Sequence, residues 1–458
     1  MRNETFSHKL TRLVIPISLQ YFMFALVPVS DAVMLVAMDQ DSMSAVSLAG
    51  QVFFVFNLFN YALMAGLSMF AAQYWGKGDI KSIEKLLGYV TRLAIPIALI
   101  FFSISLFMPD AVMRIYTHEE VIISHGINYL RIVSVAYIFD GVAQLYTSVL
   151  KNTDHVKTCT GISISMVAMN IILNAVFIYG LLGVPAMGES GAALATTISC
   201  LYGAAAVIIA MIRKCPARIR FSCVFKVDIG MRRDFSKYSS ALLINQMFWG
   251  IGFTLVTVII GHLNAEVIAA NAIAAVVKDL ASCFCWSLAD GGAIMVGNEL
   301  GAGNLERGKK YGQKIVNLAI TSGIILGVIT AALAYPISKL TNLDPVSAEY
   351  LFYMLLMCVY YILGRSINAV IIGGIFASGG DTKFGMICDL VTMWVFIIPA
   401  GALAAFVFHA PPLVVYFILN LDEMIKIPVV FHHFKKYKWV KNLVGKDNIA
   451  LETASSES

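Results

Sequence analysis

Apolar runs of membrane-spanning length recur along the whole chain, at residues 12–38, 46–75, 87–109, 121–150, 157–182, 191–213, 237–263, 267–296, 314–336, 347–377, 384–408 and 411–434. A helix rises about 1.5 Å per residue, so each run can cross roughly 30 Å of hydrocarbon. Without water to satisfy the backbone, only helices and closed barrels span a bilayer. A barrel shows short alternating segments, and none occur here. Composition agrees: 59% of the 458 residues are apolar and 13% charged, whereas a soluble domain carries about 25% charged residues. The expected fold class is an all-α polytopic membrane protein with twelve transmembrane helices.

Charge alternates between the connections. Lys9 and Arg12, with Arg2, precede span 1, while Asp39 and Asp41 follow it. Lys77, Lys81 and Lys85 follow span 2, Glu119 and Glu120 precede span 4, and Lys151 and Lys157 lie between spans 4 and 5. The longest connection carries Lys214, Arg218, Arg220, Lys226, Arg232 and Arg233, and Lys435, Lys436, Lys438 and Lys441 follow span 12. Basic connections stay in the cytoplasm, which predicts a multi-pass protein of the plasma (inner) membrane with both termini cytoplasmic. The net charge of +5 is explained by this bias, and no nucleic-acid face is expected. The eight cysteines, Cys283 and Cys285 among them, lack metal-finger spacing and read as small core residues. No cleavable leader is apparent, because the first apolar run is already of spanning length.

The two halves of the sequence resemble each other at a nearly constant offset. Residues 72–79 (AQYWGKGD) align with 297–304 (GNELGAGN), a shift of 225. Asn152-Thr153-Asp154 aligns with Gly379-Gly380-Asp381, a shift of 227, and Gln20-Tyr21-Phe22 with Gln246-Met247-Phe248, a shift of 226. Six helices per half predict two pseudo-symmetric lobes in the same orientation, suited to alternating access. The expected division is an N-lobe at 1–213, a cytoplasmic linker at 214–236, a C-lobe at 237–436 and a cytoplasmic tail at 437–458.

Several local patterns resemble the multidrug and toxic compound extrusion (MATE) family, in particular its prokaryotic branch that includes the DNA-damage-inducible F proteins. Asn170-Ile-Ile-Leu-Asn174 with Tyr179-Gly180 and Gly191-Ala-Ala-Leu-Ala-Thr196 resembles the signature around the family's fifth and sixth helices. Gln73-Tyr-Trp-Gly76, Val296-Gly-Asn-Glu-Leu-Gly-Ala-Gly303 and Gly379-Gly-Asp-Thr-Lys383 resemble the turns after its second, eighth and tenth. The resemblance covers essentially the whole chain. It implies a secondary antiporter that exports amphipathic, often cationic, organic compounds or drugs in exchange for H⁺ or Na⁺.

An acid inside a bilayer is costly and marks function. Asp31 lies three residues after Pro28 in span 1, and Gln20, three helical turns earlier, faces nearly the same way. Such a carboxylate can load a proton or cation on one side and release it on the other. Asp140 in span 4, three residues after Tyr137, reads as a second titrating group, as the hydrogen-bond partner of Asp31, or as a group paired with a polar neighbour. In the family pattern the span 1 Asp works with an Asn and an Asp four residues apart and with a Thr on span 6. Carried over, these are Asp31, Asn170, Asn174 and Thr196, with Asn174 standing where an Asp is often found. The resemblance therefore implies coupling to H⁺ or Na⁺, any Na⁺ being held by these four residues. The missing carboxylate tilts the expectation toward H⁺, and no cofactor beyond the coupling ion is expected.

Some family members carry a Glu on span 7 and an Asp on span 10. Asn245-Gln246 and Arg365-Ser366 stand near those places here, which argues against a coupling site in the second half. Lys278 and Asp279 lie near the middle of span 8 with Asp290 beyond them; Arg365 is available as a partner for Asp279, and Asp389 on span 11 is a further candidate. Gln20, Asn245, Gln246, Lys278, Asp279 and Arg365 are candidates to line a substrate cavity. The expected partners are organic substrates and the lipid bilayer, for a monomeric protein. A lipid-linked oligosaccharide flippase would carry more spans and a strongly basic cavity. A membrane-embedded enzyme would show a motif such as HExxH or Gly-x-Ser-x-Gly, and neither is present.

Overall fold

The first spanning helix, α1 (Phe6–Val36), runs through Pro16 and Pro28 without interruption. It is followed by α2 (Gln40–Lys77), α3 (Ile80–Phe107), a short α4 (Pro109–Tyr116), α5 (Glu120–Asn152), α6 (Val156–Tyr179) and α7 (Gly188–Lys214). The second half contains α8 (Ile229–Gly261), α9 (Ala265–Gly301), α10 (Leu305–Leu340), α11 (Pro345–Phe376) and α12 (Thr382–Val407). It ends with α13 (Pro412–Leu419) and α14 (Asp422–Lys435). This computed structural model describes residues 5–218, 228–341 and 343–445. Arg2, Arg220, Cys223, Lys226 and the tail from 446 lie outside the described residues, as does 219–227 of the expected linker.

Among the described residues there is no strand, and eleven helices are long and apolar enough to cross a membrane. The twelfth apolar run is helical in two pieces, interrupted at Asn420-Leu421. The interruption has a local cause. Asp422 and Glu423 sit in the first turn of α14, where acidic side chains favour the positive end of the helix dipole. α4 was not anticipated from the apolar pattern. It is an exposed helix whose Arg114 pairs with Asp110 at 3.0 Å and Glu120 at 2.8 Å.

The internal repeat is visible in the backbone. After α2, Gly78 N–H donates to Trp75 O and Asp79 N–H to Tyr74 O, at 3.0 and 2.9 Å. After α9, Gly303 N–H donates to Leu300 O and Asn304 N–H to Glu299 O, at 3.1 and 2.9 Å, each partner 225 positions further on. Both glycines are left-handed, with φ of 77° and 83°, which is why this chain reversal takes glycine. At the other repeated turn, His155 N–H donates to Leu150 O and Asp381 N–H to Phe376 O.

The chain divides into two compact units, one of residues 19–239 and one of 1–18 with 240–458. In the first, an apolar core built on Phe56, Leu130, Tyr137 and Ile178 packs α2, α3, α5, α6 and α7 together. In the second, Ile259, Val267, Leu351, Met354, Tyr416 and Leu419 bring α8, α9, α11 and α13 into a corresponding core. The start of α1 belongs to this second unit, where the Phe6 ring lies 5.0 Å from that of Tyr311. Residues 437–445 also pack there: Trp439 is fully buried, stacks on Phe434 at 5.6 Å and donates its indole N–H to Phe434 O. Seven cysteines are free and buried, as expected of small core residues.

Candidate functional site

In the unit of residues 19–239, α1 and α6 run side by side in register. Gln20 Nε2 donates to Ser163 Oγ at 2.8 Å, and Asn174 Nδ2 donates to Asp31 Oδ1 at 2.5 Å. Both pairs are separated by 143 positions, so the two helices advance together over three turns. Tyr179 continues the seam, its hydroxyl donating to Met34 O at 2.9 Å. Pro28 lies within this stretch and has no N–H to return to the carbonyl four residues back, which loosens α1 just before Asp31.

Asn170 and Asn174 are both buried on one face of α6. Asn174 Nδ2 approaches Asn170 Oδ1 at 3.4 Å, and Asn170 Nδ2 approaches Thr196 Oγ1 of α7 at 3.4 Å. The sequence allows this because Gly191 lies against the end of α6. A β-carbon there would stand 2.7 Å from Phe177 O, so only glycine lets α7 come this near. The result is a polar line, Asp31–Asn174–Asn170–Thr196, across three helices. Among the described residues Asp31 forms no ion pair, and Asn174 Oδ1 is a buried acceptor with no donor.

Asp140 and Tyr137 do not join this line. Asp140 accepts from Gln144 Nε2 at 2.5 Å, and Gln144 also reaches Asn57 Oδ1 at 3.0 Å. Of the readings open for Asp140, the pairing with a polar neighbour holds and the partnership with Asp31 is corrected, because the amide one turn along α5 takes the carboxylate. Tyr137 sits in an aromatic core, 5.3 Å from Phe53 and 5.1 Å from Phe56.

In the other unit four ionisable groups form one chain of ion pairs. Arg365 Nη1 meets Glu423 Oε1 at 2.7 Å, and Lys426 Nζ meets Glu423 Oε2 at 3.2 Å and Asp389 Oδ1 at 2.9 Å. Asn245 Nδ2 donates to Asp389 Oδ2 at 3.0 Å, and Asn368 Nδ2 to Glu423 Oε2 at 2.8 Å. Two cations and two carboxylates cancel, and the Glu423 side chain is only 1% exposed. Gly364 makes room for α14, since a β-carbon there would lie 3.0 Å from the Glu423 carbonyl carbon. Lys278 donates to Asn420 Oδ1 at 2.9 Å, at the C-terminal end of α13 where a cation is favoured, and lies over the rings of Tyr361 and Tyr416.

The pairing of Arg365 with Asp279 is corrected: Arg365 goes to Glu423 and stacks on Trp286 at 4.8 Å, leaving Asp279 exposed. The Gln246 side chain makes no hydrogen bond among the described residues. Asp422, Glu423 and Lys426 were missed from sequence, although three ionisable residues inside an apolar run were a readable sign. The backbone adapts nearby, with wide π-helical turns at Ala369–Phe376 and Thr392–Ile397, directly after Asn368 and close behind Asp389.

The MatE family profile matches residues 16–176 and again 241–403, so each half carries one copy. The uncharacterized transporter YisQ of Bacillus subtilis is 19% identical, with 96% of both chains covered. The multidrug resistance protein MdtK of Photorhabdus laumondii is 24% identical, over 86% of this chain and 87% of its own. Among solved structures, the Vibrio cholerae MATE transporter VcmN in its bent form aligns with a TM-score of 0.84 at 14% identity, covering 96% of this chain and 98% of that one. A MOP superfamily transporter from Pyrococcus furiosus, described there by the reverse polarity of its binding pocket, aligns with a TM-score of 0.85 at 17% identity, over 95% and 96%. With two copies of the profile and this helical architecture, the chain belongs to the MatE family of multi-pass membrane transporters and is not an enzyme.

Proposed function

We propose that this transporter exports amphipathic, often cationic, organic compounds in exchange for H⁺, with Asp31 as the group that carries the ion. The observation that carries this reading is the Asp31–Asn174–Asn170–Thr196 line, in which a membrane-embedded carboxylate has an amide partner and no cation. The similarity to MdtK, a multidrug resistance protein, supports the substrate class.

The geometry suggests how the ion state reaches the helices. With Asp31 ionised, the Asn174 amide nitrogen donates to it, and Asn174 Oδ1 is left without a donor. With Asp31 protonated, its O–H can donate to Asn174 Oδ1 after the amide turns over, satisfying that acceptor. The two protonation states thus favour different contacts between α1 and α6. A group that titrates between two arrangements links ion binding to the equilibrium of the transporter, and substrate binding to the other arrangement completes the exchange. Na⁺ is the competing ion: Asp31, the two Asn oxygens and Thr196 Oγ1 are all oxygen donors, but the set has a single negative charge.

The test is ethidium accumulation in cells producing the parent protein or Asp31→Asn, with and without sodium. The proposal expects low accumulation with the parent in either medium and high accumulation with Asp31→Asn. Sodium-dependent export would replace H⁺ by Na⁺, and unchanged export by Asp31→Asn would remove this residue from the mechanism.

A further inference from the structure

A groove of about 510 Å³ opens on the surface of the unit of residues 19–239, between the start of α6 and the end of α7. Lys157 and Lys214 stand over it, with Thr158, Gly161, Ser165 and Tyr202 below them. No acidic residue lines it among the described residues, and Asp154, the nearest acid in sequence, turns to the Trp75 indole at 3.2 Å. Lys214 Nζ lies 3.4 Å from Thr158 Oγ1, and the Ser165 and Tyr202 hydroxyls are 3.0 Å apart. Lys157, Gly161 and Ser165 are spaced four residues apart, so the groove follows one face of α6 for two turns.

That face is not the one bearing the buried asparagines. Thirteen residues separate Gly161 from Asn174, which turns the two roughly 140° apart around the helix. Nothing stands within 4 Å of a β-carbon built on Gly161, so the floor of the groove is open. The apolar flank of the groove is formed by Ile162 and the ring of Tyr202, which is 38% exposed. The two lysines are at the same end of their antiparallel helices, the end where Lys77, Lys81 and Lys85 also collect. A cationic rim, a rank of hydroxyls and an apolar flank on an outward helix face form an amphipathic surface complementary to an anionic amphiphile.

We propose that this groove binds the headgroup of an anionic phospholipid, its phosphate between Lys157 and Lys214, its glycerol region on the Thr158, Ser165 and Tyr202 hydroxyls, and an acyl chain lying over Gly161. Basic recesses between helices at the membrane surface are suited to such headgroups. The apolar flank and open floor favour a lipid over a free phosphate, which needs neither. The site is separate from the Asp31 line and does not depend on its role.

The experiment measures the thermal midpoint of full-length protein in neutral detergent against added phosphatidylglycerol, phosphatidylcholine or inorganic phosphate. Phosphatidylglycerol alone is expected to raise it. Lys157→Gln/Lys214→Gln should raise the half-saturating concentration about tenfold or more. Gly161→Leu, which keeps both charges and fills the floor, should also weaken the response, while Lys81→Gln/Lys85→Gln should keep it. Should a variant be less stable in phosphatidylcholine, retention of phosphatidylglycerol in native mass spectrometry gives the same comparison. An equal response from parent and Lys157→Gln/Lys214→Gln overturns the proposal. An equal effect of inorganic phosphate would overturn the lipid assignment.

Discussion

Asp31 and Glu423 are both carboxylates in apolar surroundings, yet their neighbours differ in kind. Asp31 has one amide donor and no cation, whereas Glu423 has Arg365, Lys426 and Asn368. The first arrangement leaves a charge that a proton or cation can neutralise. The second supplies its own neutralisation from fixed side chains, so taking up a further ion gains little. Under the proposed function, the same cost of burying charge yields an ion-carrying centre in one unit and a structural tie in the other. On this reading, coupling belongs to the line through α1, α6 and α7, and the ionic chain holds α11, α12 and α14 together.

This contrast can be broken by substitution, beginning with the largest effect on stability. Glu423→Gln leaves Arg365 and Lys426 short of their shared acid, and should cost about 3–5 kcal/mol in unfolding experiments. Restoring balance with Arg365→Leu alongside Glu423→Leu should recover much of that loss, which a double-mutant cycle reads directly. Asp389→Asn should cost less, about 1–3 kcal/mol, because Asp389 is 20% exposed at its side chain and Asn245 can still pair with an amide. Asp31→Asn should behave oppositely, with an unchanged or higher thermal midpoint, since it removes a charge that no cation balances.

A smaller effect is expected outside the membrane. Asp344 caps α11 by accepting from the Ser347 hydroxyl and from the Ser347 and Val346 N–H groups. The Ser347 hydroxyl, and then its N–H, hold the carboxylate below its ordinary pKa. A depressed folded-state pKa stabilises above the ordinary carboxylate pKa and loses its effect as pH falls through the folded value. Asp344→Ala should therefore lower the midpoint slightly at neutral pH, and the difference should close in acid.

Much of this was legible in the sequence because it rests on short-range pattern. The spans follow from apolar run length, and the duplication from turns whose glycines must be left-handed, as at Gly78 and Gly303. The Asp31, Asn170, Asn174 and Thr196 set came from the family resemblance, and the structure brings those residues into one line. The ionic chain was not legible, because its members are distant in sequence: Arg365 finds Glu423 58 positions away. Lys278 likewise finds its partner far along the chain, donating to Asn420 142 positions away, while its neighbour Asp279 is exposed. The interruption at Asn420-Leu421 had its sign in Asp422 and Glu423 directly after it, which run length alone passes over.

The most direct test follows protons in sealed proteoliposomes without sodium, recording internal pH as an exported cation such as ethidium is added. The parent protein should move protons in the direction opposite to ethidium, and Asp31→Asn should move none while folding as well as the parent. Proton movement that persists in Asp31→Asn, or ethidium transport in the parent that ignores the pH gradient, would contradict the assignment of the ion to this carboxylate.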